Sequence, residues 1–252
     1  MAKFKRIITA GPLVIESIYP APNPRDSDGV RAGKKALSSQ AQQRMNLKYA
    51  YQKLELEIAA NFGHGDLFLT LTYDDDHLPM SRQEALKRIK AFWRRLRAAR
   101  REIGQELRYI YVTEHKHGDG RWHHHVLVNS TGEDLQLIWQ LWGQGELESR
   151  KIRVDRDKNY ETLARYLCKE QREQLGLRLW SCSRNLRKPE RECFRVPNDT
   201  PLMPPEQATV LEDTGDVVTA YGHYRYLKYL VNGWMEKAPP RAKRRRKRRR
   251  SS

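Results

Sequence analysis

Two apolar segments joined by a short glycine-containing loop constrain the fold of this chain more than any other feature. They span residues 108–114 and 121–129, and a Gly-Asp-Gly turn at 118–120 separates them. Segments of this length on either side of a turn signal predict a β-hairpin. Because a hairpin places its strands side by side, side chains from both segments are expected to share one face of a sheet.

The segments around the hairpin alternate between strand and helix patterns. The predicted elements are, in chain order, a strand at 66–73, a helix from Ser81 to about Arg101, the hairpin, a helix at 133–142, a strand at 148–154 and a helix from Asn159 to about Gln174. The order β-α-β-β-α-β is that of the split βαβ, or ferredoxin/RRM-like, arrangement. We therefore predict an α+β fold with an antiparallel sheet of about five strands and helices on one face, the other face being open for a ligand.

Composition divides the remainder of the chain. The predicted parts are a flexible N-terminal arm at 1–36, a domain at 37–195 that begins with a helix at 38–61, a C-terminal extension docked on the core at 196–236, and a disordered basic tail at 237–252. The extension holds a proline-rich loop at 197–205 and an aromatic-rich element at 221–234.

The chain is strongly basic. Its 252 residues carry a formal net charge of +17, and every residue of 241–250 except Ala242 is Lys or Arg. Because the body remains basic when the tail is set aside, we expect a polyanionic partner, DNA or RNA. The chain has no apolar run long enough for a membrane span and no signal-peptide pattern. Its three cysteines lack a C-x-x-C pair, which indicates free thiols in a reducing cytosol.

The histidine run in the second hairpin strand predicts a metal site. On a strand, residues two apart share a face, so His123 and His125 present two imidazoles together while His124 points to the opposite face. Glu114 ends the partner strand and is the expected third ligand, with His117 as an alternative. Two imidazoles and a carboxylate suit Mg²⁺ or Mn²⁺ when phosphate oxygens and water complete the shell. Such an ion would polarise a scissile phosphate.

A tyrosine in the last predicted helix is the candidate nucleophile. Tyr166 and Lys169 are three residues apart, which places them on one helical face. Tyrosine ionises near pH 10, so it needs a neighbouring cation or a metal to act at pH 7. Attack of Tyr166 on phosphorus would give a 5′-phosphotyrosine and release a 3′-hydroxyl. Tyr160 is the alternative nucleophile, but a spacing of six places it on a different face.

These motifs resemble those of the HUH endonucleases, named for two histidines separated by one residue. Within that superfamily the chain is similar to rolling-circle replication initiators related to the gene II protein of filamentous phages and to plasmid Rep proteins. The three matching segments occur in order: Phe68–Tyr73, Arg121–His125 and Tyr166–Lys169. His124 departs from the family, which often has a bulky apolar or aromatic residue there.

The resemblance implies roles for particular residues. It gives the metal-ligand role to His123 and His125, with Glu114 as the matching third ligand, the nucleophile role to Tyr166 and the helper role to Lys169. The residues expected to contact DNA are Thr70, Thr72, Arg121, Arg184, Lys188, Arg244, Arg245 and Arg246.

The implied function is site-specific nicking and joining of single-stranded DNA. The free 3′-hydroxyl would prime a host polymerase at the origin of a plasmid, phage or integrative element in a bacterial cytoplasm. The chain contains no G-x-x-x-x-G-K-[ST] motif, so unwinding would fall to a host helicase. Two alternatives remain open: a single-tyrosine transposase or relaxase of the same superfamily, and a non-catalytic RRM-like nucleic-acid-binding module.

Overall fold

The structure is a computed structural model that describes residues 3–20, 40–115, 120–132, 134–154, 159–169, 179–219 and 222–234. The strands within these ranges are β1 (Lys3–Ala10), β2 (Leu13–Pro20), β3 (Leu67–Thr72), β4 (Tyr109–His115), β5 (Trp122–Val128), β6 (Leu147–Lys151), β7 (Ser181–Cys182), β8 (Glu190–Val196), β9 (Ala208–Asp213), β10 (Val217–Thr219) and β11 (Gly222–Val231). The helices are α1 (Gln40–Ala59), α2 (Arg82–Glu102), α3 (Asp134–Trp142) and α4 (Asn159–Leu167), with a 3-10 turn at Asp75–His77.

A five-stranded antiparallel sheet is formed by strands between Leu67 and Cys182. Its strand order is β6-β3-β5-β4-β7, with α2 connecting β3 to β4 and α3 connecting β5 to β6. This is the split βαβ arrangement, in which β5 lies between β3 and β4 and β6 returns to the free edge of β3. The predicted α+β class and the sheet of about five strands are confirmed.

Local sequence signals explain where these elements begin and end. The Ser81 hydroxyl accepts a hydrogen bond from the Glu84 amide at 3.2 Å and caps the first turn of α2, as expected for a serine at this position. Gly143 follows α3 with φ of 53°, a left-handed conformation that glycine adopts without strain. The helix boundaries predicted at Ser81 and Gly143 are therefore confirmed.

The two faces of this sheet pack against different helices. Leu69 and Val126 lie in one apolar core with α2 and α3, whereas Phe68 and Leu127 point to the other side and lie in a core with α1 and α4. The two crossover helices are thus on one face, as predicted. The opposite face is not open along its length, because α1 and α4 cover much of it.

A second antiparallel sheet contains the N-terminal residues. Its order is β10-β11-β2-β1-β8, with β9 paired to β11. The flexible arm predicted at 1–36 is wrong for Lys3–Pro20, which forms a β-hairpin with Ile8, Leu13 and Ile15 in the core. The turn of this hairpin contacts the end of α1: a Cβ on Gly11 would lie 2.3 Å from the Ala59 carbonyl oxygen. The predicted start of this helix, at residues 38 and 39, lies outside the described residues.

The C-terminal extension contributes β9, β10 and β11 to the second sheet. β11 pairs with β2 and buries Leu230 against the same core as α1. Lys228 of β11 is also buried. Its ammonium donates to Glu161 of α4 at 2.7 Å and to Glu55 of α1 at 3.2 Å. This ion cluster connects the last strand to the helix that carries Tyr166.

Helix α4 is shorter than expected. It ends at Leu167, two residues before Lys169, whereas the sequence pattern predicted a helix to about residue 174. Residues 170–174, the loop at 116–119 and the basic tail lie outside the described residues. Across the described part of the chain, no helix has the length and apolarity needed to span a membrane. The three cysteines are free, as predicted.

Candidate metal centre and nucleophile cleft

The hairpin of β4 and β5 brings three potential metal ligands together. Glu114 lies directly opposite His123 in the register, and His125 is two residues further along the same face. The Glu114 Oε2 atom is 3.6 Å from His123 Nε2 and 3.5 Å from His125 Nε2. One ligand atom from each residue lies within 4.8 Å of the other two. The residues predicted as ligands from the hairpin and the resemblance are therefore adjacent.

The ligand atoms fit one divalent cation. Ligands bound at about 2.1 Å in an octahedral shell lie roughly 3 Å apart, so small side-chain movements bring these atoms into range. A set of two imidazoles and one carboxylate with open positions is also one that divalent transition metals accept. Glu114, His123 and His125 would hold the ion.

Burial and neighbouring charges favour the neutral form of His125, which is the form that can bind a metal. Burial, with the nearby charges of His123 and Arg150, lowers the pKa of His125 to about 4, so its imidazole is neutral at pH 7. Its Nδ1 lies 3.3 Å from Thr70 Oγ1 in the neighbouring strand. With Nε2 as the ligand atom, the Nδ1–H donates to this hydroxyl and fixes the ring, a common arrangement around metal-binding histidines.

His124 faces the opposite side of the sheet, as the alternation predicted. It is fully buried, with its Nε2 2.8 Å from the Tyr73 hydroxyl and its Nδ1 2.9 Å from Thr113 Oγ1. Burial, together with the neighbouring His123 and His125, lowers the pKa of His124 to about 3. It is a neutral core residue. His115 is exposed and lies against the Trp122 ring, and His117 is outside the described residues.

Tyr166 lies beside the imidazole pair. Its ring centroid is 5.3 Å from that of His125 and 5.7 Å from that of Phe68, and the side chain is 43% exposed. Tyr160 is 4% exposed and its hydroxyl donates to the Phe62 carbonyl at 3.3 Å. Of the two tyrosines considered from the sequence, only Tyr166 lines the histidine cleft.

That cleft has a volume of about 660 Å³ and lies on the side of the sheet that faces α4, which contributes Tyr166 to its lining. The residues that line it are Thr70, Thr72, Tyr73, Asp74, Asp75, Arg121, Trp122, His123, His125, Glu146, Glu148 and Tyr166. Glu146 and Glu148 come from β6 and the turn before it, and neither was predicted from the sequence. Glu148 lies opposite Thr70 in the sheet register. The cleft is thus acidic at one wall and holds the imidazoles at the other.

The predicted DNA-contacting residues fall into three groups. Thr70, Thr72 and Arg121 line the cleft, and Arg121 bonds to Asp75 and to the Tyr73 carbonyl. Arg184 and Lys188 are exposed but do not line it. Arg244, Arg245 and Arg246 lie outside the described residues.

Arg150, not Lys169, is the cation that the structure places beside the Tyr166 ring. The Arg150 guanidinium lies 4.3 Å from the Phe68 ring centroid and 5.6 Å from that of Tyr166. The Lys169 side chain is exposed and does not line the cleft, although its amide donates to the Tyr166 carbonyl at 3.2 Å. The expectation that Tyr166 and Lys169 share a helical face is wrong, because α4 ends between them.

The family comparison concerns the part of the chain that holds this cleft. The family model for the replication-associated proteins of the ORF2 and gene II protein type matches residues 66–171, a range that runs from the start of β3 to just beyond α4. No curated protein and no solved structure matches the chain. The segment that forms the sheet and its site is therefore similar to replication-associated proteins. The similarity is to the ORF2 and gene II protein type, and it confirms the resemblance seen in the three motifs.

Proposed function

We propose that the protein nicks and rejoins single-stranded DNA through a covalent bond to Tyr166, and that this starts rolling-circle replication of a plasmid, phage or integrative element. One observation carries the proposal: the ring centroids of the half-exposed Tyr166 and of His125 are 5.3 Å apart in a cleft lined by His123 and His125. The Nε2 atoms of both histidines lie within 3.6 Å of the buried Glu114 carboxylate. The match to the family of replication-associated proteins supports a role in replication.

The chemistry follows from the residues around Tyr166. Its phenolic oxygen, after losing its proton to solvent, attacks the scissile phosphorus. The bond from phosphorus to the 3′ oxygen breaks, that oxygen takes up a proton, and the 5′ phosphoryl group stays on Tyr166. Attack by a later 3′-hydroxyl reverses these steps and restores the phosphodiester bond. A divalent cation, Mg²⁺ or Mn²⁺, held by Glu114, His123 and His125 would supply Lewis-acid polarisation of the phosphate.

Positive charge near the phenol favours this reaction. A cation within about 6 Å stabilises phenolate and the negative charge that develops on the phosphate. Arg150 lies at that distance from the Tyr166 ring. We assign to Arg150 the helper role beside Tyr166 that the resemblance gives to Lys169. A contribution of Lys169 stays a prediction. Arg121 and the threonines of β3 are the proposed contacts to the DNA strand in the cleft.

A single-tyrosine transposase or relaxase would use the same cleft and the same chemistry. This alternative differs from the proposal only in the DNA on which the protein acts. The RRM-like alternative is less well supported. Such modules stack bases on aromatic residues at the centre of the sheet, whereas β3 and β5 present Thr70, Thr72, His123 and His125 on the cleft face. A host helicase and a host polymerase are the proposed partners.

Covalent trapping tests the proposal. The full chain is incubated with Mn²⁺ and fluorescent single-stranded fragments that tile both strands of the DNA around the encoding gene, and products are separated under denaturing conditions. We expect one fragment to give a protein–DNA adduct and a free 3′-hydroxyl product. EDTA and Tyr166→Phe should each abolish the adduct, and Tyr160→Phe should keep it. An adduct that survives Tyr166→Phe would overturn the assignment.

A further inference from the structure

We propose that the second sheet carries a separate binding surface for single-stranded DNA, built by Phe4, Arg6, Tyr19 and Arg195. This surface is on a different sheet from the cleft and outside the residues that the family model matches. Its binding does not depend on the nicking reaction.

The four side chains share one sheet face. In the register Phe4 lies opposite Tyr19 of β2 and opposite Arg195 of β8. Arg6 is two residues after Phe4 in β1, so it points to the same side. The face is therefore defined across three neighbouring strands.

The rings and guanidinium groups form a compact set. The Phe4 and Tyr19 rings are stacked, with centroids 6.1 Å apart and planes at 25°. The Arg6 guanidinium lies 5.9 Å from the Tyr19 centroid, and that of Arg195 lies 5.9 Å from the Phe4 centroid. Each ring thus has a cation beside it. Both arginines are exposed, and both rings are partly exposed.

These four side chains lie at the edge of the core that the second sheet forms with α1. Further along the same face, Ile8 and Ala10 of β1 are buried in the core formed with α1. Toward the start of β1 the face passes from aliphatic core to partly exposed rings and arginines. Rings and guanidinium groups at this boundary offer flat surfaces that an incoming base can stack on.

Strand β8 separates charge between its two faces. Arg191 and Arg195 point to the proposed surface, whereas Glu190 and Glu192 point away from it. Arg6, Arg191 and Arg195 make no salt bridge with any residue that the structure describes. The surface therefore presents cations to a polyanion, and its acidic residues lie on the reverse side.

Single-stranded DNA is the ligand that this chemistry fits. Proteins that bind single strands without sequence preference combine aromatic stacking with cations along the backbone. A duplex keeps its bases stacked internally and would use the arginines alone. An acidic peptide would likewise leave the aromatic pair unused.

Fluorescence anisotropy with a labelled dT20 strand tests the surface. The full chain is used with EDTA and in the Tyr166→Phe background, so that no cleavage takes place, and at 0.25 M salt to weaken nonspecific contacts. We expect Phe4→Leu/Tyr19→Leu and Arg6→Gln/Arg195→Gln each to raise Kd about tenfold. Phe194→Leu is the matched control. It removes an exposed aromatic side chain from the reverse face of β8, the strand that carries Arg195, and should leave Kd within twofold.

Comparing dT20 with other ligands tests whether the surface recognises the bases of single-stranded DNA. An abasic strand of equal length should bind the unaltered surface about as weakly as dT20 binds the double aromatic variant. Unchanged Kd in both double variants, or an equal rise in Phe194→Leu, would overturn the proposal, and so would tighter binding of rU20 or of a poly-glutamate peptide at this surface. Circular dichroism and the melting temperature check that each variant is folded. If the double aromatic variant unfolds, the Kd of Arg6→Gln/Arg195→Gln decides the test. Because the assay involves no chemistry, absence of an adduct at Tyr166 would not affect it.

Discussion

The two faces of strand β5 hold the same residue type in opposite roles. On one face His123 and His125 border a cleft, with the Glu114 carboxylate 3.5–3.6 Å from their Nε2 atoms. On the other face His124 is enclosed, and both of its nitrogens are within hydrogen-bonding distance of core hydroxyls. Burial keeps both His124 and His125 neutral at pH 7, with pKa values of about 3 and 4.

The comparison shows that the neighbours decide what a neutral imidazole does. His124 has Tyr73 and Thr113 on its two nitrogens, so its lone pair is used within the core. His125 has a threonine on Nδ1, and its Nε2 faces a carboxylate beside the cleft. The period of two along a strand separates these environments by a single residue.

The largest expected effect follows from removing a proposed metal ligand on the cleft face. His123→Ala should reduce adduct formation by about 1,000-fold, since the Lewis-acid contribution of a metal ion is several kcal/mol. Mn²⁺ binding measured by calorimetry should weaken in parallel, while the melting temperature stays close to that of the unaltered protein. His115→Ala, which removes an exposed histidine at the end of β4, is the control. Unchanged Mn²⁺ binding in His123→Ala would show that the cleft does not hold the ion.

On the core face, His124→Ala should act on stability. It opens a cavity and leaves the Tyr73 and Thr113 hydroxyls without their histidine partner, at a cost of about 3 kcal/mol in the free energy of unfolding. Urea denaturation measures this loss. Mn²⁺ affinity of the folded protein should change by less than about threefold. If metal binding falls as far as in His123→Ala, the two faces are not independent.

A third test concerns the cation that acts beside the cleft. Arg150→Gln should slow adduct formation about tenfold because it removes the charge nearest the Tyr166 ring. Lys169→Gln should have the smaller effect. Single-turnover rates with saturating DNA separate this from weaker binding. The reverse order would favour the lysine role that the motif implies.

The last test concerns the residue beside the His125 imidazole. Thr70→Val keeps the shape but removes the hydroxyl beside Nδ1, and should weaken Mn²⁺ binding about tenfold. Thr72→Val is the matched control, since the Thr72 hydroxyl donates to the Glu146 carbonyl instead. Equal losses in the two variants would assign the effect to the strand rather than to the imidazole.

The site could be predicted largely because it depends on short-range pattern. The alternation along β5 and the hairpin to β4 determine which histidines share a face with Glu114. Both features can be predicted from residues that are close together in the sequence. Arg150 could not be found this way. Its place over Phe68 depends on the pairing of β6 with β3, about 80 residues earlier in the chain.

The second sheet was missed for a related reason. β1 carries three basic residues, Lys3, Lys5 and Arg6, and prolines and glycines follow β2, so the segment resembles a polar arm. Its apolar residues become a core only when β11 and α1 pack against them. Nothing local indicates those partners. The C-terminal strand, with its aromatic residues, gave a stronger signal and was predicted to dock.

The pairing of β2 with β11 has a consequence for how a cell makes this protein. The Tyr229 hydroxyl donates to Glu16 across 213 positions of sequence. While the ribosome is still adding those residues, the N-terminal hairpin emerges with its β2 edge unmatched, and such an edge is prone to associate with other nascent chains. Synthesis through residue 231 is therefore the step at which this edge is closed, and translation speed or chaperone supply should govern the yield of native molecules.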